Sequence, residues 1–189
     1  MKTIILGSNS PRRKELLAGL GFEFSVDTGN SFDEVIAPGI SAEDVPAVLS
    51  RGKSHGFHRE LQENEVLLTA DTVVIVEDKV LGKPHSREEA VKMLEMLSGR
   101  SHLVITAVTL RDHTKEVTFS DRTEVCFETL TQEEIDYYID NYKPFDKAGA
   151  YGVQEWIGYT GISSIKGSFY NVMGLPVHRV WQELKHFLK

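Results

Sequence analysis

The 189-residue sequence contains one cysteine, Cys126, so it forms neither an internal disulfide nor a metal site built from several thiolates. No apolar run approaches the length of a membrane span, and the apolar stretch at residues 3–6 is too short for a secretory signal. We therefore expect a protein of the reducing cytoplasm that does not contact a membrane. Basic residues number 21 against 28 acidic ones, and this net charge of −7 argues against a nucleic-acid partner.

Several catalytic signatures are also missing. The chain has no HExxH zinc motif and no GxSxG nucleophile elbow. Gly82-Lys83-Pro84 is not a P-loop, because it lacks the upstream glycine and the following serine or threonine. Zinc proteases and P-loop kinases or ATPases therefore lose support. A catalytic triad assembled from distant residues stays open.

The composition, with 41% hydrophobic and 26% charged residues, is typical of a globular protein with a core. Apolar runs bounded by turn residues predict strands over residues 3–7, 22–26, 66–76, 103–110 and 116–127. Helices are predicted after Ser10, Ser86, Thr131 and Pro176, and over residues 41–58. This alternation predicts one α/β domain over residues 1–189, with two lobes around a cleft.

An anion site is predicted where the first strand turns into the first helix, at Ser8-Asn9-Ser10-Pro11-Arg12-Arg13. The unpaired N–H groups and the positive dipole end of a helix face such a turn, and hydroxyl and guanidinium groups add donors. A polyphosphate is the natural ligand. The alternative is that Ser10 only caps the helix and that both arginines lie in solvent.

One carboxylate, Asp71, interrupts the apolar strand over residues 66–76. Desolvating an unpaired carboxylate is costly, so Asp71 is expected to meet a cation, a metal ion or strong donors. Glu34, in an acidic stretch, is a candidate companion, because magnesium on a phosphate substrate usually takes one or two protein carboxylates. The alternatives are a hydrogen-bonded turn for Asp71 and an ordinary surface acid for Glu34.

Three lysines, Lys53, Lys83 and Lys147, stand in contexts that favour contacts with phosphate. Each is weak evidence alone, since most lysines are solvated surface residues. The small residues after Lys147 permit a ligand to approach the backbone closely.

Taken together, these motifs form an ordered set. In chain order they are residues 8–13, Glu34, Lys53, Ala70-Asp71-Thr72, Gly82-Lys83-Pro84, Leu97-Ser98-Gly99-Arg100, residues 146–154, and Gly174-Leu175-Pro176. The set resembles the Maf family over nearly the whole chain. Any one tripeptide is common, whereas the ordered set is highly specific.

The resemblance implies a nucleoside triphosphate pyrophosphatase with an elongated mixed sheet flanked by helices, similar in architecture to the inosine triphosphate pyrophosphatases. It implies the dTTP/UTP subgroup, with Arg12, Thr72 and Gln154 at the positions tied to base choice. A glutamine amide offers one donor and one acceptor to the edge of uracil or thymine. We also expect a homodimer and a housecleaning role that extends to modified pyrimidine nucleotides.

On this interpretation the bond between the α and β phosphates is hydrolysed, with Asp71 activating water. Asp71 and Glu34 would hold Mg²⁺ or Mn²⁺. The residues expected to bind phosphate are Ser8, Arg13, Lys53, Lys83 and Lys147. Glu155 departs from the family pattern, where glycine is frequent, and a carboxylate there would repel substrate or shift the base preference.

Two other functions stay open. One is a non-catalytic, nucleotide-binding regulator of cell division or septum formation. The other is a phosphatase that releases orthophosphate stepwise. The identity of the released product distinguishes both from a pyrophosphatase.

Overall fold

The computed structural model describes residues 2–188 and has a mixed α/β fold built on one seven-stranded sheet. The strands are β1 (Thr3–Leu6), β2 (Phe24–Val26), β3 (Glu65–Val76), β4 (Lys79–Leu81), β5 (Ser101–Arg111), β6 (Glu116–Phe127) and β7 (Ile162–Lys166). The helices are α1 (Pro11–Gly19), α2 (Val45–His55), α3 (Arg87–Leu97), α4 (Gln132–Tyr142), α5 (Trp156–Thr160), α6 (Phe169–Met173) and α7 (Val177–Phe187). A short 3-10 helix spans Ala148–Ala150.

The sheet has the order β2-β1-β3-β5-β6-β7, and β4 pairs with β3 outside this path. β1 runs parallel to both β2 and β3, whereas β3 with β4 and β6 with β7 are antiparallel pairs. Parallel pairing of β1 and β3 needs a crossover, which the segment containing α1 and α2 supplies. The predicted α/β class and mixed sheet are confirmed.

The described chain divides into two compact units. Unit 1 comprises the described parts of Met1–Asp71, Thr106–Asp121 and Gly174–Lys189, and unit 2 comprises Thr72–Ile105 and Arg122–Met173. In unit 1, Ile5, Phe57, Leu61 and Leu67 form a small apolar cluster. Unit 2 has a larger cluster in which α3 and α4 pack together. The predicted cleft between two lobes stays a prediction.

The helix starts follow the predicted capping chemistry. Ser10 accepts a hydrogen bond from the Arg13 N–H, and Thr131 forms a complete capping box with Glu134. Ser86 also caps its helix, but the matching Glu89 carboxylate accepts from the His85 N–H instead of closing the box. These contacts satisfy N–H groups that the first helical turn leaves unpaired.

α2 contains a glycine, Gly52, at a position where glycine normally weakens a helix. The ring of Phe32 packs against it, and a Cβ there would lie 2.2 Å from the ring. The close packing of Phe32 onto the helix therefore explains the glycine. The helix is shorter than the predicted 41–58.

The elements that sequence patterns missed are short. β4 has three residues, and α5 and α6 have five each, so none shows a full period of hydrophobicity. β7, with the sequence ISSIK, lies at the edge of the sheet and has no fully buried residue. Among residues 2–188, no helix has the length and apolar content that a bilayer crossing requires.

Candidate functional site

An ammonium group lies between two carboxylates in unit 1. Nζ of Lys53 is 2.6 Å from Oδ1 of Asp71 and 2.9 Å from Oε1 of Glu34. The Asp71 side chain is 13% exposed and the Glu34 side chain 56%. The prediction that Asp71 meets a cation is confirmed, and Glu34, although exposed, is its companion on the same ammonium.

The electrostatic environment of Asp71 favours a proton-accepting role. Burial raises the pKa of the Asp71 carboxyl, and the nearby charges of Lys53 and Arg13 only partly oppose this effect. The net pKa lies above the usual value for aspartate. A carboxylate with a raised pKa is a better base at neutral pH than an exposed one.

Arg13 ties three segments of unit 1 together. Its Nε donates to the carbonyl oxygen of Gly174 at 2.9 Å, and its Nη1 donates to the carbonyl oxygen of Ala70 at 2.8 Å and to Oγ of Ser8 at 3.3 Å. Ala70 directly precedes Asp71. Arg13 therefore fixes the backbone beside the key carboxylate, and its contact with phosphate stays a prediction.

The turn before α1, where the anion site is predicted, leads directly into the N-terminus of that helix. Oγ of Ser8 accepts a hydrogen bond from the Ser10 N–H at 3.2 Å, and the N-terminus of the nine-residue α1 follows directly. Ser10 does cap the helix, but Arg13 is only partly exposed and binds protein groups. Arg12 lies partly buried in the first turn of α1.

Two buried serines attach the helix that carries Lys53 to its neighbours. Oγ of Ser50 donates to the carbonyl oxygen of Thr69 on β3, and Oγ1 of Thr69 donates to the carbonyl oxygen of Ser50. Arg111 on β5 donates to Oγ and to the carbonyl oxygen of Ser54. These bonds fix α2 relative to β3, the strand that contains Asp71.

In unit 2, Lys147 is a buried lysine, with its side chain only 9% exposed. Its Nζ lies 2.8 Å from Oδ1 of Asp146 and 3.1 Å from Oε1 of Glu155. Lys147 is therefore not an ordinary surface lysine. The charge of Glu155, which the sequence suggested would repel substrate, is compensated by this ion pair.

Gln154 has a buried amide oxygen, Oε1, that accepts no hydrogen bond within the described part of the chain. Buried acceptors are normally paired, so this atom is suited to a donor on a ligand. The N3–H of uracil or thymine is such a donor.

The remaining two predicted residues also belong to unit 2. Thr72 lies partly buried on β3. Lys83 is exposed in the loop after β4. The Gly82 carbonyl oxygen accepts from the Gly149 N–H at 3.0 Å, which joins the Lys83 segment to the segment that contains Lys147.

The structure thus groups the predicted residues by unit. Unit 1 contains Ser8, Arg12, Arg13, Glu34, Lys53 and Asp71, and unit 2 contains Thr72, Lys83, Lys147 and Gln154. Sequence reasoning missed the structural roles of Ser50 and Ser54, for which a single sequence offers only small polar residues on an apolar helix face. It also missed the partner of Glu155 on α4, since that contact joins distant segments.

The donor set of unit 1 fits a divalent cation. Asp71 and Glu34 already converge on one positive group, and Mg²⁺ typically takes one or two carboxylates together with water and phosphate oxygens. Within residues 2–188, no cluster of three or more histidine, cysteine or acidic side chains has the arrangement of a metal site.

Comparisons with known proteins identify the family of this chain. The family model described as "Maf-like protein" matches residues 3–187. A dTTP/UTP pyrophosphatase of Parabacteroides distasonis is 50% identical over 184 residues, covering 97% of this chain and 95% of the relative. A dTTP/UTP pyrophosphatase of Bacteroides thetaiotaomicron is 51% identical over 182 residues, covering 96% and 94%.

Solved structures share the fold. A HAM1 protein from Coxiella burnetii superposes with a TM-score of 0.51 at 16% identity, covering 98% of this chain and all of that chain. The Ham1 protein of Staphylococcus aureus gives the same TM-score at 13% identity, with full coverage of both chains. At these identities the likeness concerns architecture alone.

Proposed function

Because this chain belongs to the Maf family, we propose that it is a nucleotide pyrophosphatase that hydrolyses dTTP and UTP to the monophosphate and pyrophosphate. The observation that carries this conclusion is the identity of about half of all residues with proteins named dTTP/UTP pyrophosphatases, over nearly the full length of both chains. No comparable observation favours a non-catalytic regulator of cell division.

Asp71 is the proposed general base. Its burial and raised pKa support the transfer of a proton from the attacking water to its carboxylate oxygen. The ammonium of Lys53, 2.6 Å away, holds this carboxylate in place and is the proposed partner of a phosphate oxygen. Ser8, Arg13 and the N-terminus of α1 would hold the polyphosphate by hydrogen bonds and positive charge.

Asp71 and Glu34 are the residues that would hold Mg²⁺ or Mn²⁺. When bound, such an ion would supply positive charge to the phosphate oxygens and favour loss of the pyrophosphate group. We expect chelation of divalent cations to abolish turnover and added Mg²⁺ to restore it. Turnover that is equally fast with excess chelator would contradict this assignment.

Gln154 is proposed to read the base, together with Thr72 and Arg12. Its buried and unpaired Oε1 supports pairing with the N3–H of uracil or thymine. Cytosine has no proton on N3, so CTP would offer an acceptor instead of a donor at the position that the N3–H of uracil occupies. A buried polar group left unpaired by a wrong substrate is a strong source of discrimination. Lys83 and Lys147 are the proposed phosphate contacts of unit 2.

The test is turnover of the purified protein with dTTP, UTP, CTP, ATP and GTP in the presence of Mg²⁺, with separate assays for pyrophosphate and orthophosphate. We expect pyrophosphate and monophosphate in equal amounts, with dTTP and UTP preferred. Orthophosphate with a nucleoside diphosphate would indicate a stepwise phosphatase. Tight binding without any release would indicate the regulator.

The homodimer, the cytoplasmic location and the housecleaning role are further proposals, and each has its own test. Light scattering in solution tests the expected homodimer, and cell fractionation tests the expected cytoplasmic location. Turnover with modified pyrimidine nucleotides tests the housecleaning role. Single Cys126, which forms no disulfide, is consistent with a reducing compartment.

A further inference from the structure

One carboxylate in unit 2, that of Glu155, contacts two groups from other segments of the chain. Oε1 of Glu155 is 3.1 Å from Nζ of Lys147, and Oε2 of Glu155 accepts a hydrogen bond from the hydroxyl of Tyr138 on α4. The same hydroxyl accepts a hydrogen bond from the Gly152 N–H at 2.9 Å. Tyr138 is fully buried, and the side chain of Glu155 is 19% exposed.

The direction of these hydrogen bonds follows from their chemistry. A backbone N–H can only donate, so the Tyr138 oxygen accepts the hydrogen bond from Gly152. The hydroxyl of Tyr138 then donates its own proton to the Glu155 carboxylate. Burial, and then the hydrogen bond to Glu155, raise the pKa of Tyr138 well above its usual value, so the phenol stays protonated. Glu155 therefore uses one oxygen for Tyr138 and the other for Lys147.

Close packing couples this network to the adjoining backbone. A Cβ at Gly152 would lie 2.9 Å from Cδ of Glu155 and 2.9 Å from Cε of Lys147. The ion pair thus rests directly against the peptide at residue 152, two positions before Gln154. A shift of Glu155 would move the Lys147 ammonium and disturb the segment that presents the Gln154 amide.

Lys147 needs such support if it is to act on a ligand. An ammonium has three N–H donors, and two of them point to Asp146 and Glu155. Asp146 is 52% exposed, so its pairing with Lys147 is weakened by solvent. Glu155 is the less exposed of the two carboxylates and supplies the better-defined contact. With two N–H groups of Lys147 directed at these carboxylates, the direction of its third N–H is fixed.

We propose that Glu155 is a positioning residue, held by Tyr138, that orients the Lys147 ammonium toward a nucleoside triphosphate. The proposal rests on the proposed function, because the triphosphate is the ligand of Lys147 and Gln154. Only a carboxylate satisfies both neighbours. A glutamine has a single acceptor oxygen and must give up either Lys147 or Tyr138.

The experiment is a double-mutant cycle with Glu155→Gln, Lys147→Ala and both together, using kcat and KM for dTTP and UTP. We expect Glu155→Gln to lower kcat/KM about tenfold in the wild-type background and less than about twofold when Lys147 is alanine. Tyr138→Phe, which keeps the ring, is expected to act in the same direction. Glu95→Gln, an exposed acid on α3, is the matched control and should change nothing.

A purely structural role gives a different pattern. In that case Glu155→Gln would lower the melting temperature, and its effect on kcat/KM would be the same factor in both backgrounds, which overturns the proposal. An unchanged kcat/KM in Glu155→Gln overturns it as well.

The same cycle measured by calorimetric binding of dTTP without divalent metal does not depend on turnover. Wild type that binds dTTP with this coupling but hydrolyses nothing in a separate assay with Mg²⁺ would refute the proposed function and leave the positioning role supported. Active wild type with additive effects would refute only the positioning role. Absence of both binding and turnover would refute both.

Discussion

Replacing Lys53 by methionine is expected to destabilise the protein, because it leaves Asp71 without the cation that compensates its charge. At 2.6 Å and an effective dielectric constant of about 20, the gross attraction between the two charges is about 6 kcal/mol. Part of it is offset by desolvation, since the Lys53 side chain is only 21% exposed. Removing one partner of a buried pair typically costs about 3–5 kcal/mol, and partial exposure favours about 3 kcal/mol here.

A loss of this size corresponds to a fall in melting temperature of about 6–12 °C for a chain of this length. Methionine keeps most of the apolar stem of lysine, so lost packing contributes little. The matched control is Arg51→Met on the same helix, whose side chain is 55% exposed and 3.7 Å from Glu116. Exposed ion pairs contribute about 0–1 kcal/mol, so this control should melt within about 4 °C of wild type.

The same substitution should move the pH dependence of activity. Lys53 lowers the pKa of Asp71, so its removal raises that pKa further. The acid limb of kcat/KM, below which the base is protonated, is therefore expected to move to higher pH. An acid limb that stays in place, or a melting temperature that falls no more than in Arg51→Met, would refute the assigned coupling.

Three further predictions concern base reading and stability. Gln154→Ala should change the ranking of UTP against CTP, whereas an equal loss for all nucleotides would contradict base reading. Ser50→Ala removes a buried hydrogen bond to Thr69 and should lower the free energy of unfolding in urea by about 1–2 kcal/mol. An unchanged free energy of unfolding would contradict the stabilising role of this bond. Burial lowers the pKa of His102 to about 4, below the value of about 6.5 in the unfolded chain. The free energy of unfolding is therefore at its full value above about pH 6.5 and should fall by about 3 kcal/mol as the pH drops to 4. Unfolding curves at both pH values test this, and His102→Gln should abolish the fall; an equal fall in the variant would contradict the assignment.

Much of the fold was predictable because its long elements have clear local signals. The strands β3, β5 and β6 coincide with the runs predicted over residues 66–76, 103–110 and 116–127, and the capping box of α4 lies within the four consecutive residues 131–134. β7 and α5 were missed because five residues with few buried side chains contain no period to detect. Such elements are defined by the neighbours that pair with them.

The candidate site was predictable to a different degree for each residue. Asp71 stands out in sequence because a carboxylate within an apolar strand needs a partner. The identity of that partner, Lys53, depends on how α2 packs beside β3, which no spacing rule provides. Glu155 was expected to repel substrate, because its compensation by Lys147 and Tyr138 involves contacts that only the folded chain creates.

The turnover of Asp71→Asn tests the central claim most directly. In the variant Lys53 keeps its contact with Glu34 at 2.9 Å, so we expect the protein to stay folded at the assay temperature, which its melting curve checks. We predict a loss of about 10²- to 10⁴-fold in kcat with dTTP for the folded variant. Wild-type turnover by Asp71→Asn, or a loss seen only in unfolded protein, would contradict the account.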